Sequence, residues 1–370
     1  MKINVLKYTL VKALTTAQKA VSTKGLNPIM QCFLIEAKDG KIKVTGNDLE
    51  LGIEATISTG LVSEEGRFCV EAKLFSDIIR KLPDTDISLE LENNVLKIKA
   101  DKAKFNISVM DADKFSEIPN VEKETGIQLS QMALRDVIRQ TIFATSDNEA
   151  SKMMTGEHIE VNSNVLTITA LDGHRIAQRK VELGGTNPDV DIVIPAKTLS
   201  EIIKIIGSDA DKMVNISFTK SHALFEFDET RVVSRLLDGT YYNVKTMLQM
   251  APPIHVRVDR KDLLATMDRA TLLIQATDTK PVILTIKDDN VMYVRLNTSL
   301  GSMNEEISVE KQGPEVVIGL NNRFIIEVLN SIEEDEVDIY FDGSKMPCLV
   351  KSDTYLYVVL PISIGNVATA

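Results

Sequence analysis

The sequence predicts an α+β fold made three times over, each unit holding antiparallel sheets and two helices, and three observations predict it. An amphipathic stretch, Ala196 to Ile206, returns as Ala72 to Leu82 and more loosely as Asn322 to Ile332. Every copy has Lys or Arg at its second position, an acid four residues later and apolar residues at helical spacing, so each reads as one short helix. The copies start about 124 residues apart, about a third of the 370-residue chain, which is the mark of a triplicated domain. Around each copy lie alternating segments separated by Gly, Asp and Asn turns, the pattern of antiparallel strands.

Each unit opens on a short alternating strand: Ile3 and Val5, Ile127 and Leu129, His255 to Val258. The first helix follows as Lys7 to Lys24, Gln131 to Ser146 and Arg260 to Gln275, all amphipathic and free of interior Pro or Gly. Two alternating segments then pair as a hairpin. They are Cys32 to Ala37 with Lys41 to Gly46 around Asp39-Gly40, and Val282 to Lys287 with Val291 to Leu296 around Asp288 to Asn290. A third strand comes next, at Leu51 to Ile57, Arg175 to Leu183 and Met303 to Glu310. The signature helix follows, and then strands such as Ile87 to Leu91, Val214 to Phe218 and Val337 to Phe341. The expected order is strand, helix, three strands, helix, four strands. Domains are expected at 1–122, 127–247 and 253–370, with Pro252-Pro253 closing an extended second link.

An apolar content of 44% supports large cores. Met1 to Ala20 lacks a secretory pattern, and nowhere do about 18 apolar residues run together, so the expected location is cytoplasmic. Cys32, Cys69 and Cys348 are scattered and not at metal-ligand spacing, which fits reduced, buried thiols.

The net charge of -11 argues against nucleic acid until it is divided. The six expected helices hold fifteen Lys/Arg against six Asp/Glu, about +9, which leaves about -20 for everything else. Basic helices in an acidic chain point to one surface that meets phosphate while acidic sheets face outward. Helices pack about 9 Å apart, so six around a circle leave a hole of roughly 7 Å, too narrow for a duplex. Twelve, from two chains, leave roughly 24 Å, just wider than a duplex whose grooves alone are about 8 Å deep. A head-to-tail dimer would close as a ring of six units.

Catalytic and phosphate-binding motifs are missing, and the only histidines are His158, His174, His222 and His255. Asp172-Gly173-His174-Arg175 stands where the first unit has Asn47-Asp48 and the third has Asn297-Thr298, so it reads as a turn between strands. No catalytic residue, cofactor or metal is expected.

Several stretches carry a family likeness: Leu171-Asp172-Gly173-His174-Arg175-Ile176-Ala177, Ser234-Arg235-Leu236-Leu237-Asp238-Gly239, Asn47-Asp48-Leu49-Glu50, and the ending Tyr357-Val358-Val359-Leu360-Pro361-Ile362. With the triplication and the length, the whole chain resembles the bacterial replicative sliding clamp family, the beta subunit of DNA polymerase III. The resemblance implies three DNA-clamp domains, a ring-shaped head-to-tail homodimer around duplex DNA, and a processivity factor without chemistry of its own. Implied partners are the DNA polymerase III alpha subunit, the clamp loader complex, and other polymerases and repair proteins carrying clamp-binding peptides.

Carried over by position, the resemblance implies a peptide cleft walled by Met154, Leu171, Gly173, His174, Arg175, Ile176, Met247, Val358, Val359, Leu360, Pro361 and Ile362. It implies DNA contact at Lys24, Arg80, Lys152 and Lys197, with Lys12, Lys73, Arg135, Arg139, Lys204 and Arg269 on the same faces. At the subunit joint, Lys104 and Phe105 would meet Leu272, Leu273, Glu305 and Glu306. The chain departs from many relatives after Asp238-Gly239, with Thr240-Tyr241-Tyr242 in place of Phe-Pro and Thr246 where Arg is common. Two rival readings stay open at this point: a hydrolase using His174 with Asp172, and an ordinary groove-binding DNA protein.

Overall fold

The computed structural model describes residues 1–22, 27–123, 125–275 and 280–364. The first repeat runs β1 (Lys2–Leu6), α1 (Lys7–Ala17), β2 (Cys32–Lys38), β3 (Lys41–Asn47), β4 (Leu51–Ile57), β5 (Leu61–Glu64), β6 (Gly66–Glu71), α2 (Ala72–Lys81), β7 (Asp86–Glu92), β8 (Val95–Ala100) and β9 (Ala103–Ser108). The second runs β10 (Gly126–Ser130), α3 (Gln131–Arg139), β11 (Gly156–Asn162), β12 (Val165–Leu171), β13 (Arg175–Glu182), β14 (Val190–Pro195), α4 (Ala196–Ile205), β15 (Met213–Phe218), β16 (His222–Phe227) and β17 (Thr230–Arg235). After a short helix α5 (Lys245–Leu248), the third runs β18 (Ile254–Asp259), α6 (Arg260–Thr271), β19 (Val282–Ile286), β20 (Val291–Asn297), β21 (Ser302–Gln312), β22 (Val316–Leu320), α7 (Asn322–Ser331), β23 (Glu336–Phe341), β24 (Cys348–Lys351) and β25 (Tyr355–Val359).

Apart from one extra strand in the first repeat, β5, the common order is strand, helix, four strands, helix, three strands, which corrects the expected three-then-four division. The additional strand is the apolar run just before each signature helix, as in Phe68-Cys69-Val70, all buried. It does not alternate, because β6 is covered on both faces, and so it carries no period-two signal. The first helices are also shorter than expected. After α1 the chain tightens into a 3-10 turn at Gln18–Ala20, after α3 into another at Ile142–Ala144, and α6 stops at Thr271. In α3 the stop is chemical: the Thr141 hydroxyl lies 2.8 Å from the Val137 carbonyl, back-bonding where the helix ladder would continue. A helical turn also occupies the second link, where an extended one is expected.

The signature helices form as expected, each ending one residue before the repeated stretch does. Glu71 and Asn321 cap α2 and α7 by accepting backbone N–H bonds. Phe75 and Ile79 of α2, Leu199 and Ile202 of α4, and Ile325 and Leu329 of α7 face the cores. The Asp39-Gly40 hairpin has both central residues at positive φ, 50° and 71°, the geometry a two-residue turn needs.

The chain forms two compact units, one of Met1–Arg135 with Lys197–Leu236 and the other of Asp136–Ala196 with Leu237–Ala370. The first holds a five-stranded sheet, β5-β1-β7-β8-β9, and an eight-stranded sheet, β10-β15-β16-β17-β4-β3-β2-β6. The second holds one 12-stranded sheet, β14-β11-β12-β13-β25-β24-β23-β18-β21-β20-β19-β22. Both contain a joint between repeats. β17 pairs antiparallel with β4, Thr230 opposite Ala55, and β25 pairs with β13, Tyr355 opposite Arg179. In each case the last strand of one repeat closes on the third strand of the repeat before it. The three cysteines are free and buried, and burial pushes the Cys32 thiol up to about 11 and those of Cys69 and Cys348 to about 12. No helix among the described residues is long and apolar enough to cross a membrane.

Glu157 on β11 is fully buried, and its Oε1 lies 2.6 Å from the Thr141 hydroxyl. Its Oε2 finds no partner among the described residues. The Thr141 hydroxyl has one proton, which the Val137 carbonyl accepts. The Glu157 contact is therefore best made by a protonated carboxyl donating to Thr141. Burial pushes this carboxyl up to about 8. Because the folded-state value is raised, the stabilisation is whole below the ordinary value of 4.5 and is lost as pH rises through about 8. Stability should fall between about pH 5 and 8 by at most about 5 kcal/mol, and Glu157→Gln should remove that slope in a calorimetric pH series.

Candidate peptide cleft and basic helix faces

A cleft of about 230 Å³ opens on one face of the sheet where the second repeat meets the third. Its floor is one cross-strand row: Leu171 stands opposite Ile176, and Ile176 opposite Val358. The β13·β25 joint builds this row, bringing segments nearly two hundred residues apart in sequence into register. All three side chains are buried. Tyr242, Asn243, Val244 and Met247 form the facing wall, with Gly173, Arg175 and Leu360 at the end. The wall is pinned to the sheet by Leu237, whose N–H donates to the Val193 carbonyl at 2.9 Å, and by Tyr241, whose hydroxyl donates to the Thr169 carbonyl at 3.2 Å.

The Asp172 turn has no free acid or base pair to do chemistry. Asp172 Oδ1 accepts the backbone N–H of His174 at 2.9 Å and of Arg175 at 3.2 Å, and Oδ2 accepts Arg175 Nε at 2.9 Å. Gly173 sits at φ +90° with open space around it, so the turn's backbone and not crowding calls for glycine. Arg175 is only 5% exposed. Its guanidinium also binds Glu327 of α7 and the Phe143 carbonyl, and lies 4.3 Å from the Phe324 ring centroid. A planar five-donor head stacked and bonded on every side is a role that lysine cannot fill.

Of the expected cleft residues, Leu171, Gly173, Arg175, Ile176, Met247, Val358 and Leu360 line this cavity together. Met154 packs against the apolar cluster beneath it. His174 is exposed; its carbonyl accepts from Leu360 N–H at 2.9 Å, and its ring lies 6.4 Å from that of Phe324. Val359 alternates to the opposite face of β25 and joins the core of the third repeat. Pro361 and Ile362 are half-buried, and the Ile362 N–H donates to the Gly319 carbonyl. Tyr242, which belongs to the departing segment expected at the cleft rim, lines the cleft, and so do Asn243 and Val244, which were not expected there. The signal for them was the apolar Val244 standing three residues before Met247.

Lys24 lies outside the described residues. Lys73 and Arg80 are exposed on α2, and Arg80 Nη2 donates to Gln18 Oε1 at 3.1 Å beside α1. Lys12 is exposed and Arg135 half-buried. Lys197 of α4 is exposed but holds Asp48 at 2.6 Å, and Lys204 holds Glu201 at 2.7 Å. In the other unit, Lys152 is exposed and Arg139 meets Glu333 at 2.8 Å. The six repeat helices as they form hold thirteen Lys/Arg against six Asp/Glu.

At the expected subunit joint, Phe105 is 42% exposed beside exposed Lys104 on β9, an edge strand of its sheet. Leu272 is 79% exposed, and Leu273 packs against the core of the third repeat. Glu306 is exposed, whereas Glu305 is held by Arg269 at 2.5 Å, which keeps its carboxyl below the usual range.

A triplicated α+β chain with basic helices and a peptide-sized apolar cleft, whose one arginine is already fully engaged, is built to bind. Family models of the DNA polymerase III beta subunit match its N-terminal domain at residues 1–119, its central domain at 128–243 and its C-terminal domain at 249–363. The chain is 30% identical to the "Beta sliding clamp" of Staphylococcus aureus Mu50 and to that of Bacillus subtilis 168, over 98% of this chain and 99% of each relative. A crystal structure from Eubacterium rectale, assigned as a DNA polymerase III beta subunit, is 43% identical with a TM-score of 0.95, covering 98% of this chain and 99% of that one. The Bacillus subtilis DNA polymerase sliding clamp gives a TM-score of 0.95 at 30% identity, with the same coverage. This chain belongs to the DNA polymerase III beta subunit family, the sliding clamps, which are processivity factors and not enzymes.

Arg175→Met should cost about 2 kcal/mol, because it removes the buried guanidinium that half-buried Asp172 and Glu327 share. Arg175→Lys should rescue little of this, and melting temperatures of both variants check it.

Proposed function

We propose that this protein is a cytoplasmic processivity factor whose three domains, 1–122, 127–247 and 253–370, close with those of a second copy into a ring around duplex DNA. The observation that carries this is the repeated joint. β17 closes on β4 and β25 closes on β13, which leaves β9, the last strand of the first repeat, and residues 302–308 of β21, which pair only with β20, without such a partner among the described residues. Joining β21 of one copy to β9 of another applies the same pairing a third time. A joint used twice in each chain and once more between chains closes after two chains. With the register of the internal joints, Phe105 comes opposite Met303, and Lys104 opposite Asn304 with Glu306 diagonal on the same face. That pairs an apolar centre with complementary charge.

Inside such a ring, Lys24, Lys73, Arg80, Arg135, Arg139, Lys152 and Lys197 meet phosphates. Phosphate contacts hold a duplex without reading its sequence, which suits sliding. The apolar cleft takes peptides from the DNA polymerase III alpha subunit, the clamp loader complex, and other polymerases and repair proteins. Its methionine and aliphatic lining adapts to varied anchors. Binding through the cleft while encircling DNA raises the polymerase's effective concentration at the template.

In sedimentation equilibrium the protein should be a dimer, and Phe105→Asp should weaken dimerisation at least about tenfold, a loss of about 1.4 kcal/mol; a variant that dimerises as well as the parent contradicts the β9·β21 joint. Met247→Ala should weaken a polymerase clamp-binding peptide about threefold to tenfold by fluorescence anisotropy, with dimerisation unchanged.

A further inference from the structure

The cleft does not end at its apolar floor. It shares Tyr242, Asn243 and Val244 with a second, larger groove of about 660 Å³ on the same sheet face. Successive cross-strand rows lead from one to the other. The apolar row of Leu171, Ile176 and Val358 is followed by His158, Thr169, Gln178 and Leu356, and then by Asp191, Glu160, Thr167 and Lys180. Floor chemistry thus changes from aliphatic to hydroxyl and amide to charge within four residues of β12.

At the far row Glu160 stands directly opposite Asp191 on the edge strand β14. Like charges so placed repel and cost stability unless a cation joins them. Among the described residues, the only basic side chain within 4 Å of their carboxylates is His158, whose Nε2 lies 2.8 Å from Asp191 and Nδ1 3.6 Å from Glu160. Its ring is stacked on Tyr241 at 4.6 Å, so it is fixed in place. Of the groove's three lysines, Lys180 is two strands from Glu160, Lys351 Nζ lies over the Tyr340 ring at 4.3 Å, and Lys245 sits on α5 with no ion pair to either acid among the described residues. Away from the acid pair the groove's charged lining is these lysines and Asp353.

Resting on the peptide reading of the cleft, we propose that this groove holds the partner's chain beyond its apolar anchor. The groove favours a lysine or arginine there, seated between Glu160 and Asp191. The four residues of β12 from Leu171 to Thr167 span about 13 Å. An extended peptide covers that distance in about four residues. The favoured cation therefore lies about four residues from the anchor.

The test uses the full-length protein with a chelator present. A labelled clamp-binding peptide from the cognate polymerase carries Lys, Gln or Glu four residues to either side of its anchor. On one side the Lys peptide should bind about threefold to tenfold tighter than the Gln peptide at low salt, with Glu weakest and the gap closing in high salt. Glu160→Gln with Asp191→Asn should abolish the gap. Equal binding of all three peptides on both sides overturns the proposal, as does a preference for Glu, which would give the groove to its lysines. A gap that survives in the double variant overturns it too. So does loss of the Lys peptide's advantage when, in a separate series without chelator, the parent is given stoichiometric Zn²⁺, which would make the acid pair a cation site. If no peptide binds, or if replacing the anchor by Ser changes nothing, the cleft reading itself fails and this one with it.

Discussion

Between β4 and β17, and again between β13 and β25, a backbone ladder carries one repeat into the next, and most of what the molecule does depends on it. Backbone hydrogen bonds are indifferent to side chains, so the joint can recur while sequences diverge. The hydrogen-bonding groups of an edge strand must nevertheless be paired or covered. Repetition with an edge strand, β9, at one end of the series and a singly paired stretch of β21, residues 302–308, at the other leaves the joint unmade within one chain, and a second copy is the economical completion.

The same joint makes the cleft. Leu171 and Ile176 belong to the second repeat and Val358 to the third, and only the β13·β25 register sets them in one row. Arg175 then locks the end of that row to α7 through Glu327, which also holds Arg323 at 2.9 Å. Glu327 thus ties a side chain of the cleft to one on α7. The cleft sits on a rigid sheet, while its facing wall is a connecting segment held by few backbone bonds, so the wall is where partner preference can vary at low cost to the fold.

Much of this was legible in the sequence because period and turn chemistry are local. The signature helices, the Asp39-Gly40 hairpin and the strands at Leu51–Ile57 and Val95–Ala100 all announce themselves through alternation, helical spacing or positive-φ residues. The strand before each signature helix did not: β6 is covered on both faces and reads as a plain apolar run, and in β14 one exposed acid, Asp191, stands in an otherwise apolar segment. The helix ends did not either, since the stop in α3 is a single threonine bonding backwards. Seven residues lining the cleft were legible through resemblance. Val359 was misleading for an elementary reason: it follows Val358 in sequence and so points to the other face of the strand. The groove beyond the cleft was illegible, because Glu160 and Asp191 meet only through strand pairing.

The central claim is that the link to DNA is topological, and one experiment addresses it directly. The protein is loaded with a matching clamp loader onto a nicked circular plasmid, the plasmid is then cut once, and the fraction still bound is measured. Loss on cutting, with long retention on the intact circle, is the predicted result. Equal retention on circle and line would contradict the ring and leave direct backbone or groove binding as the account of how this protein holds DNA.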